Sequence, residues 1–137
     1  MRNLLDSNIC ITIMNRVAPF KVESAMNLAI HSGDALLIPT IVVHEMWYGV
    51  ARSRDSKANA NKVVEFLTEP FQVLEFDLED ADKSGEIRPE LARQGTPIGP
   101  YDVLIAGKAL ARGITLVTAN TKGFSRVDGL TLADWTQ

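Results

Sequence analysis

Apolar residues recur along the chain in two rhythms, short continuous runs and helical stripes. RNLLD (2–6) reads as a first strand ending at Asp6, and ALLIP (35–39), FQVLEF (71–76) and ITLVT (114–118) read as three more. LTLADW (130–135) predicts a fifth strand at the sheet edge. Between these runs the spacing turns helical. Val22, Ala25, Met26, Ala29 and Ile30 share one helix face, and Gly33 stands where a C-terminal cap belongs. Thr40 is placed to cap a helix running through IVVHEMWYGVAR (41–52). The polar stretch SRDSKANAN (53–61) leads into a helix carrying Val63, Val64, Phe66 and Leu67, which Pro70 ends. Residues 80–93 predict a helix with Ala81, Ile87 and Leu91 inward. Gly95 to Pro100 form a turn, and Pro100 opens a last helix that Gly113 closes.

Strands alternating with helices imply a mainly parallel, twisted sheet of four to five strands with helices on both faces, a three-layer α/β/α sandwich. No repeat or linker divides the sequence, so a single domain over 1–137 is expected. In such sheets ligands bind beyond the carboxyl ends of the strands, which directs attention to the residues just after each strand.

Three acids meet that description. Asp6 ends the first strand, Glu45 interrupts an otherwise apolar helix after the second, and Asp102 opens the apolar helix before the fourth. The segment from Val103 to Leu110 is apolar except for Lys108, so that helix is expected to be buried nearly all round. Carboxylates gathered in such surroundings repel one another, and one takes up a proton unless a cation joins them. Mg²⁺ suits hard oxygen ligands of this kind and acts on phosphate esters. Each acid also has a plainer explanation: Asp-Ser-Asn is good turn chemistry, Asp102 is a helix-start acid, and Glu45 could lie on an exposed helix face. On these residues alone both explanations stand.

Composition narrows the classes. With 14 Lys plus Arg against 17 Asp plus Glu the net charge is −3, which argues against non-specific coating of nucleic acid but not against a nuclease. No apolar run reaches the ~20 residues of a membrane span, and the N-terminus lacks the marks of a signal peptide. The single cysteine, Cys10, sits in an apolar stretch and is read as core, in keeping with a reducing cytoplasm. Asn8 and Thr118 are candidates to orient the acids. His44 points about 100° away from Glu45 on its helix, and His31 reads as a partner for a helix C-terminus. Trp47 and Tyr48 are assigned to core or dimer packing. Lys108, Arg112, Lys122 and Arg126 are candidate phosphate contacts.

At these residues the sequence resembles the PIN-domain ribonucleases, specifically the VapC toxins. The landmarks are LLDSNI (4–9), HEMWYGV (44–50), GEIRPELARQGTPIGPYDVLIAGKAL (85–110), and LVTANTKGF followed by RVDGLTLADW (116–135). The resemblance implies that Asp6, Glu45 and Asp102 bind Mg²⁺ or Mn²⁺ and that a water so activated cuts RNA. It also implies a cognate VapB-type antitoxin covering the site and a homodimer. Many PIN domains carry a fourth acid where this chain has Asn120, and relatives often have an acid where it has Gly123. Asn120 is therefore carried as a fourth catalytic candidate. The 85–100 block looks most like the enterobacterial-type branch, which is associated with cutting initiator tRNA in its anticodon stem–loop. Two other readings compete. One is a non-catalytic Mg²⁺-binding α/β interaction module; the other is a phosphohydrolase with Asp6 as nucleophile, although Asn8 replaces the second acid of D-x-D-x-T.

Overall fold

The computed structural model describes residues 1–137. Five strands, β1 (Arg2–Leu5), β2 (Ala35–Pro39), β3 (Phe71–Leu74), β4 (Thr115–Val117) and β5 (Leu132–Ala133), form one sheet in the order β3-β2-β1-β4-β5. Every pairing is parallel, with Leu4 opposite Leu37 on one side and Leu116 on the other. Successive residues Leu4 and Leu5, Leu36 to Ile38, and Leu116 and Val117 are all buried. Neighbours on a strand point to opposite faces, so both faces of the sheet are covered, giving the three-layer α/β/α sandwich.

Seven helices fill the connections: α1 (Ser7–Met14), α2 (Phe20–His31), α3 (Thr40–Ala51), α4 (Ser56–Phe66), α5 (Leu78–Arg93), α6 (Pro100–Arg112) and α7 (Thr121–Phe124). The chain winds from β1 out through β2 to β3, then returns to place β4 on the other side of β1. The strand order therefore reverses between β1 and β4, which opens a crevice at their carboxyl ends.

Several local expectations are corrected. The turn after Asp6 is a helix: Asp6 caps α1, and Ile9, Cys10, Ile13 and Met14 fall on its inner side. The capping residue is plain in the sequence, but the isoleucines favour strand as readily as helix. Asp55 caps α4 through the Ala58 N–H, so most of the polar stretch is helical. Thr40 does not cap α3; Pro39 precedes it, and Thr40 Oγ1 accepts from the Phe76 N–H at 3.3 Å. Ala81 faces solvent. Asp80, Ser84, Ile87 and Leu91 take the inward face of α5, because Asp77 and Asp80 form a reciprocal capping box that sets its phase. Val64 is 59% exposed, and Ile30 is also largely outside the core.

The expected burial of α6 holds, with Val103, Ile105, Ala106 and Ala109 in the core. A Cβ on Gly107 would lie 2.2 Å from Ser84 Oγ and 2.8 Å from the Ser84 nitrogen, so glycine permits the close approach of α5 to α6. Pro100 opens α6, and Gly113, at φ +62°, ends it. No helix is long and apolar enough to cross a membrane.

Candidate active site

The crevice at the carboxyl ends of β1 and β4 is organised around Asp6. Its carboxylate is buried, and both oxygens are used: Oδ1 accepts from the Ser7 N–H at 2.8 Å, and Oδ2 accepts from Thr118 Oγ1 at 2.7 Å. Thr118 Oγ1 in turn accepts from the Asn120 N–H at 3.0 Å. The backbone continues the link, since the Asp6 N–H donates to the Val117 carbonyl at 3.0 Å. Asp6 is thus held rigidly between β1, β4 and the start of α1. Of the two candidate orienting residues, Thr118 touches it; Asn8 lies exposed in the first turn of α1 and makes no hydrogen bond to the acids.

Glu45 and Asp102 approach from either side of β1. Glu45 rides on α3 after β2, and Asp102 sits in the first turn of α6, which leads into β4. Burial, then the charges of Asp6 and Asp102, raise the Glu45 carboxyl above the ordinary glutamate range, opposed by the nearby Ser7 side chain and by His44. Asp102 is raised by burial first and by Asp6 second. The three acids therefore sense one another, and none is ion-paired with a basic side chain. They do not close into a ready-made cage of three direct ligands. The Cys10 thiol beneath them is fully buried and pushed up by that burial, then by Asp6 and Glu45, which makes it inert core.

Asn120 has a structural task. It caps α7, its Oδ1 accepting from the Gly123 N–H at 3.2 Å. That bond fixes which end of the amide is oxygen and leaves Nδ2 as a donor. A Cβ on Gly123 would lie 2.7 Å from Asn120 Nδ2, so the asparagine and the glycine fit as a pair, and an acid at 123 would collide with the cap. Asp102 and Asn120 line a common cleft of about 320 Å³ together with Lys122 and Arg126. Glu45 lines a separate cleft of about 210 Å³ with Asn15, Asn59 and Lys62.

Two of the four expected phosphate contacts are corrected. Lys108 is 2% exposed, and its ammonium donates to Asp80 Oδ2 at 2.7 Å and to the Glu75 carbonyl at 2.6 Å. Arg112 is paired with Asp77. Both are committed to the α5–α6 interface. Trp47 and Tyr48 are 40% and 59% exposed, so neither is core; Arg52 stacks over the Tyr48 ring. His44 meets the Tyr101 hydroxyl at 3.2 Å, a tie between α3 and α6 just outside the acids. His31 pairs with the Asn27 carbonyl near the end of α2. Two neighbours of the acids, Ser7 and Lys62, escape the sequence reading. Ser7 is hidden inside a segment that reads as a turn, and Lys62 carries no local signal.

The PIN domain family model matches residues 4–130. The chain belongs to the PIN-domain family. This PIN domain is 40% identical over 136 residues to the tRNA(fMet)-specific endonuclease VapC of Shigella flexneri, covering 98% of each. Its fold matches the VapC-bearing complex VapBC2 of Rickettsia felis, bound to promoter DNA, with a TM-score of 0.89 and 34% identity over 98% of this chain and 99% of the other. It matches DNA-bound VapBC from Salmonella typhimurium with a TM-score of 0.84 and 40% identity, covering 98% of both. With these relatives, the PIN domain is an endoribonuclease of the toxin class of toxin–antitoxin pairs.

Proposed function

We propose that Asp6, Glu45 and Asp102 hold a divalent cation, Mg²⁺ or Mn²⁺, at which RNA phosphodiesters are hydrolysed. The observation that carries this reading is a set of carboxylates, two of them raised by burial and by their neighbours, with no basic side chain to balance them. Their chemistry fits the ion: all donors are hard oxygens, and an incomplete cage suits a cation that keeps several waters and takes one or two carboxylates plus substrate phosphate. When bound, such a cation neutralises charge on the phosphodiester and makes a water acidic enough to serve as nucleophile.

The protein's own groups do the rest. Thr118 and the Ser7 N–H hold the Asp6 oxygens in one orientation, so no side-chain freedom is lost when ligands arrive. Asp102 stands at the positive end of α6, which favours its ionised form against the repulsion of Asp6. Glu45 reaches the same centre from α3, on the β2 side of Asp6. Asn120 Nδ2 lines the Asp102 cleft as a donor for a phosphate oxygen.

The name of the Shigella flexneri relative supports initiator tRNA as the substrate. The VapBC complexes among the structural neighbours support a cognate VapB-type antitoxin as the inhibitor. We take the working form to be one PIN domain over 1–137, assembled as a homodimer in the cytoplasm, and exposed Trp47 and Tyr48 supply apolar area for such contacts. The test is induction of the wild-type chain and of Asp102→Asn, followed by mapping of RNA ends. New tRNA ends are expected only with the wild type, with cleavage by Asp102→Asn reduced by more than about 100-fold. A folded Asp102→Asn protein that still cuts would remove Asp102 from the site.

A further inference from the structure

An acidic chain that cuts a polyanion needs cations beside its acids. Of the four basic residues that neighbour the site in sequence, Lys108 and Arg112 are locked to acids of α5. Lys122 and Arg126 form no ion pair and line the cleft that holds Asp102 and Asn120. A third unpaired cation, Lys62 of α4, lines the cleft that holds Glu45. Lys62 also shares an adjoining hollow with Arg16, and Glu65 on the same wall forms no ion pair with either.

Strand order places these two groups on different flanks of Asp6. Lys122 and Arg126 follow β4, on one side of β1, whereas Lys62 belongs to the helix that leads into β3, beyond β2 on the other side. Arg16 adds an independent sign. It follows α1 at φ +57°, the one non-glycine residue with a positive φ. The Arg16 N–H bonds the Ile13 carbonyl at 3.1 Å and the Val17 N–H bonds the Thr12 carbonyl at 3.0 Å, which is the helix stop that normally takes glycine. An arginine kept in a strained glycine position beside another free cation points to work done by its side chain.

We propose that a single RNA strand crosses the acidic centre from one flank to the other, with Arg16 and Lys62 holding a phosphate on the Glu45 side and Lys122 and Arg126 holding one on the Asp102 side. The scissile phosphate then lies over Asp6 because the strand is anchored on both sides of it. Phosphate contacts of this kind fix register without reading sequence. The assignment rests on the acids being the cutting centre, and its test separates the two.

Cleavage of a labelled initiator-tRNA anticodon stem–loop in Mg²⁺ is measured for the full chain and for two double variants, Arg16→Gly/Lys62→Ala and Lys122→Ala/Arg126→Ala. Each is expected to raise KM about tenfold with kcat within about threefold. The salt dependence of log(kcat/KM) should become shallower by about 0.7 per pair, since each pair holds one phosphate and each single-strand phosphate contact contributes about 0.7. Arg93→Ala, which removes an exposed cation paired with Glu90, should change neither. Arg16→Gly alone should hold or raise the melting temperature while weakening RNA binding, an outcome that a purely structural role for Arg16 does not produce. A pair whose loss leaves KM and the salt slope unchanged, or lowers kcat alone, overturns the two-sided track. If the wild type itself does not cut RNA, the acidic-centre reading fails instead.

Discussion

Two clusters of carboxylates lie within this small fold, and the chain treats them in opposite ways. Between α5 and α6, Asp77, Glu79 and Asp80 meet Lys108 and Arg112. The buried Lys108 ammonium sits 2.7 Å from Asp80 Oδ2, while Arg112 pairs with Asp77 and lies 3.7 Å from both Glu79 and Asp80 Oδ1. Asp80 Oδ2 also accepts from the Asp77 N–H at 2.9 Å, leaving only Oδ1 without a hydrogen bond. At the strand ends, Asp6, Glu45 and Asp102 gather with no such partner, and burial first, then the neighbouring acids, raise Glu45 and Asp102. A permanent lock carries its own cations. A site that is to take up and release a cation, as proposed for the three acids, leaves them out and accepts the repulsion meanwhile.

The contrast can be broken most forcefully at Lys108. Lys108→Met takes the closer cation from buried Asp80, leaving it only Arg112 at 3.7 Å, and should cost about 3–5 kcal/mol, read as a lower urea midpoint. Lys108→Met with Asp80→Leu removes both charges and should recover at least half of that loss. Equal destabilisation in the single and double variants would show that packing, rather than pairing, makes the lock. Removing a buried charge partner from one cluster is expected to destabilise the fold, whereas neutralising Asp102 in the other is expected to stop cleavage without destabilising it.

Thr118→Val sharpens the second half of the comparison. It strips a hydrogen bond from Asp6 and should lower cleavage by about 10–100-fold, with a stability loss of about 1–3 kcal/mol. Thr118→Ser keeps the hydroxyl and should keep both properties. If valine cuts as well as serine, Asp6 does not depend on that bond for its orientation.

The smallest effect is in the pH dependence. Glu45 and Asp102 bind protons more tightly folded than unfolded, so above the ordinary carboxylate range the folded chain holds more protons. Stability attributable to these groups therefore falls as pH rises from their unfolded values through the raised folded ones, and levels off above. If Mg²⁺ is held among the ionised forms, as proposed, it should oppose that fall. At ten times its dissociation constant it adds about 1.4 kcal/mol, a rise of a few degrees in melting temperature at neutral pH. Thermal melts across pH, with and without Mg²⁺, measure this; an unchanged melting temperature at neutral pH would argue against a cation among the acids. In Asp102→Asn both the pH slope and the Mg²⁺ response should shrink.

Much of this architecture is legible in the amino-acid sequence. Unbroken apolar runs mark the strands because a parallel sheet covered on both faces needs no alternation. Pro100 and Gly113 bracket α6 because their backbone chemistry is local. The sequence misleads where local signals are ambiguous or overruled. Ile9, Ile11 and Ile13 conceal α1, and Ala81 reads as inward because a buried aspartate at 80 is improbable without knowing that Lys108 faces it. Lys108 itself reads as a free cation in the sequence, since its partner is 28 residues away.

The sequence by itself determined the strands and the helices α2 to α6, their order and the residue types placed just beyond the strand ends, because helix spacing, caps and apolar runs are properties of neighbouring residues; α1 and α7 it did not reveal. With the family landmarks, it also pointed to the three acids. Only the tertiary structure decided which charges are spoken for. Lys108 and Arg112 went to the lock, Asn120 to a helix cap and Thr118 to Asp6, while Lys62, Lys122, Arg126 and Arg16 were left unpaired. Whether a charge is compensated depends on distance and burial across the fold, and no spacing along the chain encodes either.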